Sequence, residues 1–123
     1  MNNPISLRIL VVDDEPKTCA YIARVLRQRN WQVDTACDGA SALELVGRSR
    51  YDAAVLDYRM PDMNGAELCR AIDQRQPGIP KILLTGYPTI DTVYPAVQAG
   101  IDRVLAKPVN LEELVGVVES QIQ

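Results

Sequence analysis

The sequence predicts an α/β protein: a five-stranded parallel sheet with helices on both faces. Three observations carry this. Five short apolar runs recur along the 123 residues, each ending at polar residues. Stretches with apolar side chains at helical spacing separate the runs, so the two patterns alternate along the chain. The runs are nearly continuous rather than alternating, as expected of strands covered on both faces.

The first run spans residues 7–12 and stops at Asp13-Asp14-Glu15-Pro16. Pro16 suits the first turn of a helix, where its missing N–H costs nothing. Residues 17–28 then carry a stripe of Tyr21, Ile22, Val25 and Leu26, with Asn30 as the stop. Residues 32–37 read as the second strand. Asp38 can cap a helix over 39–48, with Ala42, Leu43, Leu45 and Val46 on its apolar face. Ala53-Ala54-Val55-Leu56 is the third strand, ending at Asp57. Met60-Pro61-Asp62-Met63-Asn64-Gly65 is a loop of turn residues. A helix over 66–75 follows and stops at Pro77-Gly78. Lys81-Ile82-Leu83-Leu84 is the fourth strand, ending at Thr85-Gly86. Pro88 and Pro95 disturb the next segment, because proline inside a helix costs about 3 kcal/mol. A helix capped by Thr92 would place Pro95 where no helical N–H bond is lost. The fourth helix is therefore expected to start late, near 92–94, or to be kinked. Arg103-Val104-Leu105-Ala106 is the fifth strand, ending at Lys107-Pro108. Asn110, with Glu113 three residues on, resembles a capping box and opens a last helix over 111–121.

Right-handed crossovers prune the topologies of such a chain. Five strands and five helices fit the flavodoxin-like order 2-1-3-4-5. The length suits a single domain over 1–123, with residues 1–6 as a short amino-terminal tail. Hydrophobic residues make up 47% and charged residues 24%, enough to bury a core without metal or disulfide staples. The net charge is −3 and the pI about 4.9, so no direct nucleic-acid contact is expected. Arg24, Arg27 and Arg29 read as a solvated helix face. Cys19, Cys37 and Cys69 are scattered and outside any C-x-x-C. They read as free thiols, small core residues in a reducing cytoplasm. No apolar run reaches the ~20 residues that span a bilayer, so no membrane partner is expected. There is no histidine. That excludes histidine-based triads, and this chain cannot be a phosphohistidine donor.

The strand ends carry the chemistry. In open α/β sheets ligands sit beyond the carboxyl ends of the strands. Asp13 and Asp14 end strand 1, Asp57 strand 3, Thr85 strand 4 and Lys107 strand 5. Three carboxylates brought together repel and raise one another's pKa. Lys107 offsets one charge. A divalent cation would offset two more, and all-oxygen ligands favour Mg²⁺ or Mn²⁺. Mg²⁺ commonly combines one or two carboxylates with waters and a phosphate oxygen, so the set looks incomplete without a phosphoryl group. A carboxylate nucleophile can form an aspartyl phosphate. Each residue alone also has an ordinary explanation, as a turn, a cap or a loop acid. Their joint placement at four strand ends carries the inference.

These residues resemble the receiver domains of bacterial two-component response regulators, the family of the chemotaxis regulator. The motifs are Ile9-Leu10-Val11-Val12-Asp13-Asp14-Glu15, Val55 to Gly65, Leu84-Thr85-Gly86 and Lys107-Pro108. The resemblance runs from about Arg8 to Ile122. It implies Asp57 as phosphoacceptor and Asp14 as direct metal ligand, with Asp13 helping directly or through water. Arg59 would offer its backbone carbonyl to the metal. Thr85 would meet the phosphoryl group, Lys107 would pair with it, and the Lys107–Pro108 bond would be cis. The implied donor is a phosphohistidine on a sensor histidine kinase or a histidine phosphotransfer protein. The implied recipient is a downstream output domain or protein, with a homodimer as a further arrangement. On this reading the domain catalyses only its own phosphoryl transfer and slow dephosphorylation.

Some positions depart from the family pattern. Val104 and Val109 stand where members often carry aromatic residues, and Pro95 falls in the helix on the face that usually signals onward. Arg59 and Tyr87 occupy positions that tune phosphoryl lifetime. Rival readings fit less well. A Mg²⁺-dependent phosphatase with an aspartate nucleophile would need a second acid two residues away and a cap insertion. A flavodoxin-like nucleotide binder would want a Gly- or Ser/Thr-rich loop after strand 1, where this chain is acidic. A receiver used purely for protein contacts would not need Asp57, Thr85 and Lys107 together.

Overall fold

The five apolar runs form one parallel sheet in the computed structural model, which describes residues 7–122. The expected 1–6 tail lies outside the described residues. The elements follow in strict alternation: β1 (Arg8–Val12), α1 (Pro16–Arg27), β2 (Gln32–Ala36), α2 (Gly39–Arg48), β3 (Ala53–Asp57), α3 (Gly65–Arg75), β4 (Lys81–Thr85), α4 (Ile90–Gln98), β5 (Arg103–Ala106) and α5 (Leu111–Ile122). The sheet order is β2-β1-β3-β4-β5, as expected. In register, Val12 pairs with Leu56, Asp57 with Leu84, and Thr85 with Ala106.

The continuous apolar runs are explained by burial on both faces. Leu10, Val12, Ala54, Leu56 and Leu83 face one core with Leu68, Cys69 and Ile72 of α3. Ile9, Val11, Ala53, Val55, Ile82 and Leu84 face a second core with α1 and α5. Every residue of β3 and β4 is buried, whereas the edge strands β2 and β5 are half open. Local signals set the helix ends. Asp38 accepts the Ser41 N–H at 2.7 Å, and Asn64 and Glu67 close a full capping box at α3. Asn110 accepts the Glu113 N–H at 3.0 Å. Asn30 ends the α1 region with φ 65°.

Two expectations fail. Of the two alternatives for α4, the late start fails: the helix begins at Ile90, with Thr89 as N-cap. Thr92 lies in its first turn, where its hydroxyl accepts the Thr89 N–H at 3.2 Å and donates to the Tyr87 carbonyl at 2.8 Å. These bonds close a turn ahead of the position that Pro95 alone would favour. Pro95 then sits inside the helix and gives no N–H to the Asp91 carbonyl, but Asp91 is exposed and water can serve it. The second failure is Cys37, which is exposed because β2 ends at Ala36. Cys19 and Cys69 are buried and free, as expected. The Arg24, Arg27 and Arg29 side chains are exposed but engaged. Arg24 lies over the Tyr21 ring, Arg27 donates to the Val33 carbonyl, and Arg29 pairs with Glu119.

Gly65 opens α3 against the end of β3. A Cβ there would lie 3.0 Å from the Asp57 carbonyl oxygen and 2.6 Å from Leu83 Cδ1. Gly47 faces open space near the end of α2. Gly65→Ala is expected to lower stability by about 1–3 kcal/mol in urea unfolding. Gly47→Ala is expected to raise it by about 0.5–1 kcal/mol.

Candidate functional site

The parallel sheet delivers the polar strand ends to one edge. Beyond β1, Asp13 N–H still bonds the Ala36 carbonyl at 3.1 Å, which extends the ladder one residue and leaves Asp13 fully buried. Its Oδ1 accepts the Glu15 N–H at 2.9 Å. Asp57 is the last residue of β3, and the next N–H, that of Tyr58, bonds the Leu84 carbonyl at 2.9 Å. Beyond β5, Lys107 N–H bonds the Thr85 carbonyl at 2.8 Å. This carries Lys107 alongside Thr85. Its Nζ lies 2.8 Å from Asp57 Oδ1 and 3.3 Å from Asp13 Oδ2. The Lys107–Pro108 bond is cis, as the resemblance implied.

Asp13, Asp14 and Asp57 each offer a carboxylate oxygen, all within 4.8 Å of one another. Asp14 is exposed and lines a cavity of about 260 Å³ with Asp57, Arg59, Thr85, Tyr87, Thr92 and Lys107. Thr85 Oγ1 accepts the Tyr87 N–H at 3.2 Å. Arg59 crosses toward the same rim, its guanidinium 5.9 Å from the centre of the Tyr87 ring. A larger hollow of about 510 Å³ lies at the opposite edge, among Arg48, Arg50, Tyr51 and Arg75. It holds none of the clustered carboxylates, so the chemistry belongs to the smaller cavity.

The charges at the site are unbalanced. Burial pushes the Asp57 carboxyl up to about 6. The hydrogen bond and attraction from Lys107 pull it down, and repulsion from Asp13 and Asp14 pushes it up. Burial disfavours the Lys107 ammonium, but its bonds and attraction to Asp57 and Asp13 outweigh this and hold its pKa above the usual lysine value. One ammonium faces three carboxylates. An all-oxygen set with residual negative charge fits a hard divalent cation.

All six residues expected at the site are thus brought to one edge. One participant was not expected. Asp62 leaves the β3–α3 loop to accept two N–H groups of α2. The sequence shows Asp38 as a cap for α2, but not that a side chain from the β3–α3 loop reaches the Gly39 and Ala40 N–H groups as well.

The family model for the response regulator receiver domain matches residues 9–119. The chain belongs to this family.

Among curated relatives, the transcriptional regulatory protein TcrA of Mycobacterium tuberculosis is 39% identical over 108 residues, 88% of this chain and 43% of TcrA. The response regulator MprA of Mycobacterium leprae is 36% identical over 117 residues, 95% of this chain and 51% of MprA. The chain spans about half the length of the curated relatives it matches. A CheY-like receiver domain from Methanospirillum hungatei matches with a TM-score of 0.92 at 28% identity, covering 95% of this chain and 94% of that one. A Burkholderia pseudomallei response regulator, solved with a phosphorylated aspartic acid, a calcium ion and citrate, matches with a TM-score of 0.87 at 30% identity, covering 95% of this chain and 69% of that one. This receiver domain has the signalling role of its family. Among its described residues, no helix is long and apolar enough to cross a membrane.

The raised Asp57 pKa gives the receiver domain a pH signature. Asp57 binds its proton more tightly folded than unfolded, so stability falls as pH rises from about 4 to about 6. The penalty at neutral pH is on the order of 2–3 kcal/mol. In metal-free buffer, Asp57→Asn is expected to be more stable than wild type at pH 7. The difference should shrink toward pH 4, as read by urea unfolding across that range.

Proposed function

We propose that Asp57 accepts a phosphoryl group from a phosphohistidine on a sensor histidine kinase or histidine phosphotransfer protein. A carboxylate oxygen of Asp57 attacks phosphorus, the P–N bond breaks, and the imidazole leaves with the electron pair. The observation that carries this reading is the Asp13–Asp14–Asp57 cluster with Lys107 bonded into it, beside the cavity that Thr85 lines.

Asp13, Asp14, Asp57 and the backbone carbonyl of Arg59 would hold Mg²⁺ or Mn²⁺. Such an ion supplies positive charge for the oxygens of the phosphoryl group in transfer. Lys107 gives up its bond to Asp57 Oδ1 and pairs with the phosphoryl oxygens instead. Thr85 accepts from Tyr87 N–H and has its own hydroxyl proton to donate to the product. The Burkholderia pseudomallei relative, with its phosphorylated aspartic acid and calcium ion, supports an acidic site of this kind.

The same reading covers the chain as a single receiver domain that acts in the cytoplasm. It catalyses only its own phosphorylation and slow dephosphorylation. About two negative charges added at Asp57 would bias the β4–α4 loop through Thr85 and so change the surface offered to an output domain, an output protein or a second copy. Ile90, Tyr94 and Val97 lie exposed on α4 and supply apolar contact area there. Val104 is half-buried against the core, so no aromatic side chain at that position can swing inward on activation. The acidic balance of the chain supports protein rather than nucleic-acid or membrane contact by this domain.

Intact mass after incubation with Mg²⁺ and a small acyl phosphate tests the proposal. Wild type is expected to gain one phosphoryl group, and the gain should vanish on chelation and in Asp57→Asn. A gain that survives in Asp57→Asn would place the phosphoryl group elsewhere. Thr85→Ala is expected still to be phosphorylated but to lose phosphorylation-dependent changes in the amide spectrum of α4.

A further inference from the structure

Residues 59–63 follow Asp57 closely and bring Arg59 to the cavity. Among the described residues, this stretch makes no backbone–backbone hydrogen bond to the rest of the fold. Its flanks are pinned by Tyr58 N–H to the Leu84 carbonyl and by Gly65 N–H to the Tyr58 carbonyl at 2.7 Å. Its middle is held by a side chain. Asp62 reaches α2, and its two carboxylate oxygens accept the N–H groups of Gly39 and Ala40, each at 2.9 Å. These are the first two N–H groups of α2, which no helical carbonyl can satisfy and where the helix dipole is positive. The contact is shaped as well as charged. A Cβ on Gly39 would lie 2.5 Å from Met63 Cγ and Sδ, so the bare glycine lets Met63 seat beside Asp62. Asp38 already caps the same helix from its own segment, through the Ser41 N–H. Asp62 therefore adds a tie between the two segments, beyond a local cap.

We propose that Asp62 is a positioning residue for the metal site, clamping the loop that carries Arg59 to the amino terminus of α2. The proposal rests on the reading of Asp13, Asp14, Asp57 and the Arg59 carbonyl as metal ligands. Asp62 touches neither metal nor phosphoryl group. It sets where the Arg59 backbone lies relative to the three carboxylates.

Calorimetric titration with Mg²⁺, run beside urea unfolding, tests this on wild type, Asp62→Ala, Asp62→Asn and Asp38→Ala. Asp62→Ala is expected to weaken Mg²⁺ binding about tenfold, the lower end of the loss when a group supporting metal ligands is removed. Asp62→Asn keeps one acceptor oxygen and should fall between. Asp38→Ala removes a cap from the same helix, so it should lower stability by about 1 kcal/mol yet bind Mg²⁺ like wild type. Wild-type affinity in Asp62→Ala, or an equal loss in Asp38→Ala, would overturn the positioning role. If Asp62→Ala does not fold, the comparison of Asp62→Asn with Asp38→Ala decides in the same way. Failure of wild type to bind Mg²⁺ would overturn the metal-site reading itself, and the clamp with it.

Discussion

All five strands run in the same direction, so the residues that stop them emerge along one edge of the sheet. The functional geometry depends on that constraint. A parallel ladder needs a helix to return the chain after each strand, and the returning helices cover both faces. The covered strands become apolar throughout, and polar side chains collect where the ladder ends. Asp13, Asp57, Thr85 and Lys107 each lie within one residue of a strand end. The short bonds Asp13 N–H to Ala36 and Lys107 N–H to Thr85 prolong the ladder just far enough to orient them.

The two edges of the sheet differ in electrostatic character. At the amino-terminal edge the polar groups are matched. Arg8 pairs with Asp34 and donates to Gln32, and Tyr51 donates to Asp34 at 2.7 Å. Gln76 bonds the carbonyls of Val46 and Ser49, and buried Lys81 bonds the Ile79 carbonyl and Asp73. At the carboxyl-terminal edge three acids share one lysine, and the Asp57 proton affinity is raised as a result. The matched edge stabilises the fold. The mismatched edge carries an excess of negative charge that a bound cation would offset.

The loops at this edge are held in large part by side chains. The β3–α3 loop relies on Asp62 and Met63 against α2. The β4–α4 loop adds Thr85 bonded by Tyr87 N–H and Thr92 bonded to the Tyr87 carbonyl to one backbone bond, from Thr89 N–H to that carbonyl. Arg59 over Tyr87 joins the two loops across the cavity. The helix α4 itself is lightly tied, with Ala96 as its one buried residue.

The sequence by itself determined the alternation, the strand limits to within a residue or two, and which strand ends carry acids, a hydroxyl and an ammonium. These follow from short-range physics: apolar runs mark covered strands, and prolines, Asn30, Asp38 and Asn64 mark turns and caps. The start of α4 was misread because the cost of Pro95 is visible in sequence, whereas the hydroxyl bonds of Thr92 with Thr89 and Tyr87 depend on how the loop folds back. Cys37 was misplaced because one residue past a strand separates core from solvent. Only the tertiary structure decided that Lys107 binds Asp57 more closely than Asp13, that Asp57 holds its proton near pH 6, and that Asp62 serves a helix that starts 23 residues before it in the chain. Each of these depends on distances between segments remote in sequence, which local patterns of polarity do not encode.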